Sequence, residues 1–121
     1  MRTLVIGASL NPTRYSHIAI KRLVKHGQNV DALGLKEGVV AGIPIKTDTK
    51  AFTEFNHIDT VTLYLNPKRQ QDYYDFIISL KPRRVIFNPG TENPIFYDML
   101  GKNGIAVEAA CTLVLLSMDQ Y

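Results

Sequence analysis

The chain has 121 residues, 45% hydrophobic and 21% charged, with a formal charge of +3. That length suits one domain, residues 1–121, with a sizeable core, and the charge is too small and too scattered for a nucleic-acid surface. The single cysteine, Cys111, excludes an internal disulfide and fits a reducing compartment; with no leader-like start and no apolar run near the ~20 residues that span a bilayer, a cytoplasmic protein without membrane or nucleic-acid partners is expected.

RTLVIG (2–7) is a short apolar run ending in glycine, which predicts a buried strand. Ser16 can cap a helix whose Ile20, Leu23 and Val24 fall at i, i+3 and i+4, and His26-Gly27 ends it. NVDALGL (29–35) is the second strand. GIPIKT (42–47) is a short extended piece that Pro44 would push to an edge, and Thr49 caps a short helix carrying Phe52 and Phe55. DTVTLYL (59–65) is rich in β-branched residues and predicts a central strand.

Asn66-Pro67 then places a capping side chain before a proline in the first helical position. Tyr73, Phe76, Ile77 and Leu80 follow as the apolar stripe of that helix. RRVIFN (83–88) is another strand. Asn93-Pro94 repeats the Asn-Pro start, Phe96, Met99 and Leu100 give the buried face, and Asn103-Gly104 stops the helix. IAVEA (105–109) is the last strand and TLVLLSM (112–118) a closing helix. Strand and helix alternate with connections too long for hairpins, which demands parallel strands with helices on both faces. The expected fold is α/β: a three-layer αβα, Rossmann-like doubly wound parallel sheet. Ligands of such sheets bind beyond the carboxyl ends of the strands, so the loops after Ile6, Leu35, Leu65 and Phe87 are the candidate site.

In the first of these loops Gly7 suits a tight turn, Arg14 supplies a forked cation for phosphate oxygens, and Ser9, Thr13 and Ser16 add hydroxyls. The following helix would aim its N-terminal amides at the same spot. The loop is not a Walker loop, since Pro12 stands where the second glycine would be, nor a G-x-G-x-x-G turn. The second strand ends in Leu35, and Lys36, which follows, suits an extra phosphate better than a bare ribose; Asp31 comes too early to hold a dinucleotide ribose, which leaves Glu37 as the one acid near the strand end. NAD(P) is therefore disfavoured. Lys68 and Arg69 fall in the first turn of a helix, where a bound anion would relieve their conflict with the dipole. Gly90 lies in a turn, with Thr91 and Glu92 able to meet a sugar or amide. His17, His26 and His57 are scattered without metal-ligand spacing, His17 is expected at the surface, and Cys111 is expected buried and inert. No nucleophile–base set can be assembled, which argues for a binding module over an enzyme.

Gly7-Ala8-Ser9 followed by Pro12, Arg14 and Ser16 resembles the G-A-S-x-x-P-x-R-x-S opening of the small, single-domain CoA-binding proteins of bacteria, relatives of the CoA-binding domain of the succinyl-CoA synthetase α-subunit. GIPIKTD (42–48), IDTVTLYLNP (58–67), IFNPG (86–90) and GIAVEAAC (104–111) are similar to later stretches of the same family. The resemblance implies coenzyme A or an acyl-CoA as ligand. Carried over, Gly7, Ala8, Ser9, Arg14 and Ser16 would hold the phosphates, and Leu35 and Lys36 would border the adenosine 3′-phosphate. Leu65, Asn66 and Pro67 would line the adenine and ribose; Gly90, Thr91 and Glu92 would sit nearer the pantetheine. The synthetase's phosphorylated histidine and ligase domain have no counterpart in 121 residues, so any reaction would need a protein partner; a homo-oligomer is a further possibility. The alternatives are a small NAD(P)-dependent oxidoreductase using the same crevice, and a structural or regulatory domain whose nucleotide site is empty.

Overall fold

In the computed structural model, which describes residues 1–121, the amino-terminal apolar run forms β1, Arg2–Ala8. Six further strands follow: β2 (Asn29–Gly34), β3 (Gly38–Val40), β4 (Ile43–Lys46), β5 (Ile58–Leu63), β6 (Arg84–Phe87) and β7 (Ala106–Ala109). They make one sheet in the order β3-β4-β2-β1-β5-β6-β7. The chain steps outward from β1 through β2 to β4, then returns to the other flank of β1 with β5 and steps outward again. Strand order reverses between β1 and β5, the position at which loops part and leave a crevice. This is the α/β, Rossmann-like architecture that the alternating pattern predicts.

One part of the sheet departs from the all-parallel expectation. β3 and β4 pair antiparallel, joined by Ala41 and Gly42 at φ 51° and 80°, a two-residue turn with both φ positive. β3 is therefore the edge, and β4, with Pro44, lies one strand in. Pro44 precedes the short ladder of β4 on β2, Ala32–Ile45 and Leu33–Lys46, so its missing N–H leaves that ladder intact.

Five helices cover the faces: α1 (Tyr15–Lys25), α2 (Pro67–Gln70), α3 (Tyr74–Leu80), α4 (Pro94–Lys102) and α5 (Thr112–Ser117). Ser16 does not cap α1; the capping position is Arg14, and Ser16 lies buried in the first turn. The single helix expected after Asn66-Pro67 is broken by a 3₁₀ turn at Gln71–Tyr73, although Ile77 and Leu80 still bury as the stripe requires. The segment around Thr49 forms two 3₁₀ turns capped by Asp48 and Thr53. Phe52 packs into the core there, while Phe55 is 81% exposed.

The core lies on both faces of the sheet. On one, Leu4, Ile6, Leu63 and Phe87 meet Ile77 of α3 and Phe96 of α4. On the other, Val5 and Ala32 meet Ile20 and Leu23 of α1 and Leu116 of α5. Each Val, Leu, Ile or Phe among them, fully buried, contributes about 1.5–3 kcal/mol. Their joint effect is to fix the carboxyl ends of β1, β2, β5 and β6 at one rim of the molecule. Beyond the apolar part of the second face lies a polar strip: Thr3, Thr60 and Arg84, covered by the ring of Tyr121, whose hydroxyl bonds Thr3 and whose face lies 4.7 Å from the Arg84 guanidinium.

Candidate functional site

Along β1 the partners run Ile6–Leu33 and then Ala8–Gly34, so Gly7 has no partner on β2 and the strand bulges there. Gly7 takes φ 95°, a conformation costly for any other residue. A Cβ on it would also stand 3.1–3.2 Å from Tyr64 and Leu65. A Cβ on Gly34 would come within 2.4 Å of the Ala8 carbonyl oxygen. The two glycines thus let the ends of β2, β1 and β5 close up and turn the chain sharply into the loop before α1.

That loop is held by short polar contacts. The Ser9 hydroxyl accepts from the Asn11 amide at 3.1 Å. The Asn11 side-chain oxygen accepts from the amide and the hydroxyl of Thr13 at 3.0 and 2.8 Å. His17 Nδ1 donates to the Ser9 carbonyl at 2.8 Å. His17 is only 8% exposed, so it is a buried clamp on the loop and not the surface histidine expected. The Thr13 hydroxyl spends its proton inside the loop. The start of α1, by contrast, has no side-chain cap and no acidic residue in its first turn, so its leading amides stay open to an anion.

The loops after β1, β2, β5 and β6 enclose a cleft of about 660 Å³, a size usual for small-molecule sites. Gly7, Ala8, Ser9, Arg14 and Ser16 line it from the β1 side, Leu35 and Lys36 from β2, Leu65 and Asn66 from β5, and Gly90 and Thr91 from β6. The fold thus brings these sequence-selected residues together. Pro67 and Glu92 do not line the cleft: Pro67 is exposed as the first residue of α2, and the Glu92 carboxylate accepts from the Gly90 amide at 2.7 Å, closing that turn. Arg69 also lines the wall, whereas Lys68 beside it does not.

No carboxylate lines the cleft, and its three cations, Arg14, Lys36 and Arg69, make none of the fold's ion pairs. Asp31, the acid within β2, is held by Arg2 at 3.1 Å. A concave, uniformly positive site with open helix amides attracts a ligand carrying several negative charges.

Sequence reasoning missed several of the lining residues. Tyr15, Leu10, Tyr64 and Tyr73 are apolar or amphipathic and carried no motif. The Tyr64 hydroxyl is buried without a hydrogen-bond partner, and burial pushes its pKa to about 12. Cys111 is half-buried at the start of α5, more open than expected. No three His, Cys, Asp or Glu side chains come together anywhere in the fold, and no helix is long and apolar enough to cross a membrane.

The wall formed by the loops after β5 and β6 is fixed from behind. Gln70, 0% exposed, donates through Nε2 to the carbonyls of Leu65 and Thr91, both at 2.8 Å. Its own oxygen accepts from Asn93 Nδ2 at 2.9 Å. Asn88 braces the same region, donating to the Thr62 hydroxyl and the Leu63 carbonyl while accepting from the Thr112 amide.

The same fold recurs among solved structures. An uncharacterised protein is 43% identical, with a TM-score of 0.93 over 99% of this chain and 97% of its own. A Thermus thermophilus protein is 21% identical, with a TM-score of 0.87 over 99% of this chain and 90% of its own. A hypothetical protein from Pyrococcus horikoshii OT3 is 23% identical, with a TM-score of 0.85 over 98% of this chain and 82% of its own. These last two share the fold alone. No curated protein matches the chain. Residues 1–117 match the CoA binding domain, and on a match covering nearly its whole length the chain belongs to that family.

Proposed function

We propose that this protein binds coenzyme A or an acyl-CoA in the cleft at the carboxyl ends of β1, β2, β5 and β6, as a cytoplasmic binding, carrier or regulatory module without catalysis of its own. The observation that carries the reading is the trio of cations without ion pairs, Arg14, Lys36 and Arg69, in a cleft lined by no acid. Coenzyme A has three phosphate groups to set against them, and the family match names the same ligand class. In this reading the diphosphate lies on the Gly7–Ser9 turn and the open amides of α1, with Arg14 beside it. Lys36 meets the 3′-phosphate, Leu65 and Asn66 border the adenosine, and Gly90 and Thr91 face the pantetheine arm.

A thermal melt with coenzyme A, dephospho-CoA, NAD and NADP tests it. A ligand present at ~100 times its Kd stabilises by about 2.7 kcal/mol, a shift of several degrees for a domain of this size. Coenzyme A should give that shift, and dephospho-CoA, lacking the 3′-phosphate, a smaller one. A shift confined to NAD or NADP would replace this reading with an oxidoreductase, and no shift with any of them would leave a nucleotide fold with an empty site.

A further inference from the structure

We infer that Gln70 is a positioning residue of the cleft: its buried carboxamide sets the spacing of the two loops that form the β5–β6 wall, and through that spacing the affinity for ligand. The inference rests on the coenzyme A reading of the cleft. Gln70 lies outside the cleft lining, yet each of its two N–H donors reaches a carbonyl of a different cleft loop, Leu65 and Thr91, at 2.8 Å. Leu65 and Thr91 both line the cleft.

The carboxamide is itself held in one orientation. Its oxygen accepts from Asn93 Nδ2, which also donates to the Tyr74 hydroxyl, while the Asn93 oxygen accepts the Phe96 amide as the cap of α4. The donors of Gln70 can therefore point only at the two loops. Asn88 ties the base of the loop after β6 to the end of β5, through the Thr62 hydroxyl and the Leu63 carbonyl, but beyond that base Gln70 is the one side chain that bonds both loops. A side chain of the same length without donors would leave two carbonyls facing an apolar interior, and the loops would separate to hydrate them.

The variant to make is Gln70→Met, alongside Val30→Ala, which removes methyl groups from the opposite face of the sheet, remote from the cleft. Calorimetric titration with coenzyme A is run at a temperature where circular dichroism shows each protein folded. Gln70→Met is expected to weaken binding tenfold or more, while Val30→Ala, though it lowers Tm, binds within twofold of the unmodified protein. Binding of Gln70→Met within twofold of the unmodified protein overturns the inference, as does an equal loss of affinity in both variants. Should Gln70→Met not fold, NMR on the unmodified protein decides: the two Gln70 side-chain protons should exchange slowly and shift when coenzyme A is added, and unshifted signals overturn the inference. If the unmodified protein takes up no coenzyme A, it is the ligand reading that fails, a result separate from a bound ligand indifferent to Gln70.

Discussion

Arg14 contributes twice: its backbone begins α1, and its side chain enters the cleft without an acidic partner. A charge-assisted hydrogen bond to phosphate contributes about 1.5–3 kcal/mol, so Arg14→Ala should weaken coenzyme A binding by about tenfold or more in a calorimetric titration. Because Arg14 makes no ion pair, the Tm of the free protein should hardly move. Lys36→Ala should lower affinity for coenzyme A but leave that for dephospho-CoA unchanged; equal losses would place the 3′-phosphate elsewhere. Gly34→Ala differs in kind from both. Its Cβ would sit 2.4 Å from a backbone oxygen of β1, where no flexible tip can give way, and such overpacking costs about 1–3 kcal/mol. A lowered Tm together with weakened binding is the expected result, since the two strand ends form the cleft floor.

At the scale of elements, the Asn-Pro pairs were the clearest local signals, and the structure shows why they were legible. Asn66 accepts the Arg69 amide at 2.9 Å and Asn93 the Phe96 amide at 3.2 Å, contacts that depend on four consecutive residues and little else. Asn93 also bonds Gln70 and Tyr74. Asn93→Ala should therefore cost more than the ~1 kcal/mol of a lost cap, about 2–4 kcal/mol in a denaturant titration, because the Gln70 oxygen loses its donor. The buried strands could be read from their apolar runs for the same local reason. The β3–β4 hairpin could not: β3 has three residues, and its turn requires a positive φ from Ala41, a residue that does not advertise it. His17 and Gln70 were illegible because a polar side chain on a helix looks solvated until its tertiary partners, here the Ser9, Leu65 and Thr91 carbonyls, are known. Gly7, Ala8, Ser9, Arg14 and Ser16 are legible through a motif, whereas Leu10, Tyr15, Tyr64 and Tyr73 enter the cleft through packing alone.

For the whole molecule, stability should fall at both ends of the pH scale for separate reasons. Asp59 is held below the usual carboxylate range by its hydrogen bonds to Arg83. A lowered pKa in the folded state stabilises above the unfolded value of 3.8 and is lost as pH falls below it. Tyr64 and Tyr121 are both raised by burial, Tyr64 to about 12. Their contribution is complete below pH 10 and is lost as pH climbs from there, since the unfolded phenols ionise first. Tm measured against pH should be flat between about 5 and 9 and drop on both sides, and Tyr64→Phe should soften the alkaline drop. The cleft has an optical consequence as well. The chain has six tyrosines and no tryptophan, and Tyr15, Tyr64 and Tyr73 line the cleft. An adenine or phosphate entering there meets half of the molecule's fluorophores at once, with no indole emission to mask them, so intrinsic tyrosine fluorescence serves as an occupancy gauge that needs no label.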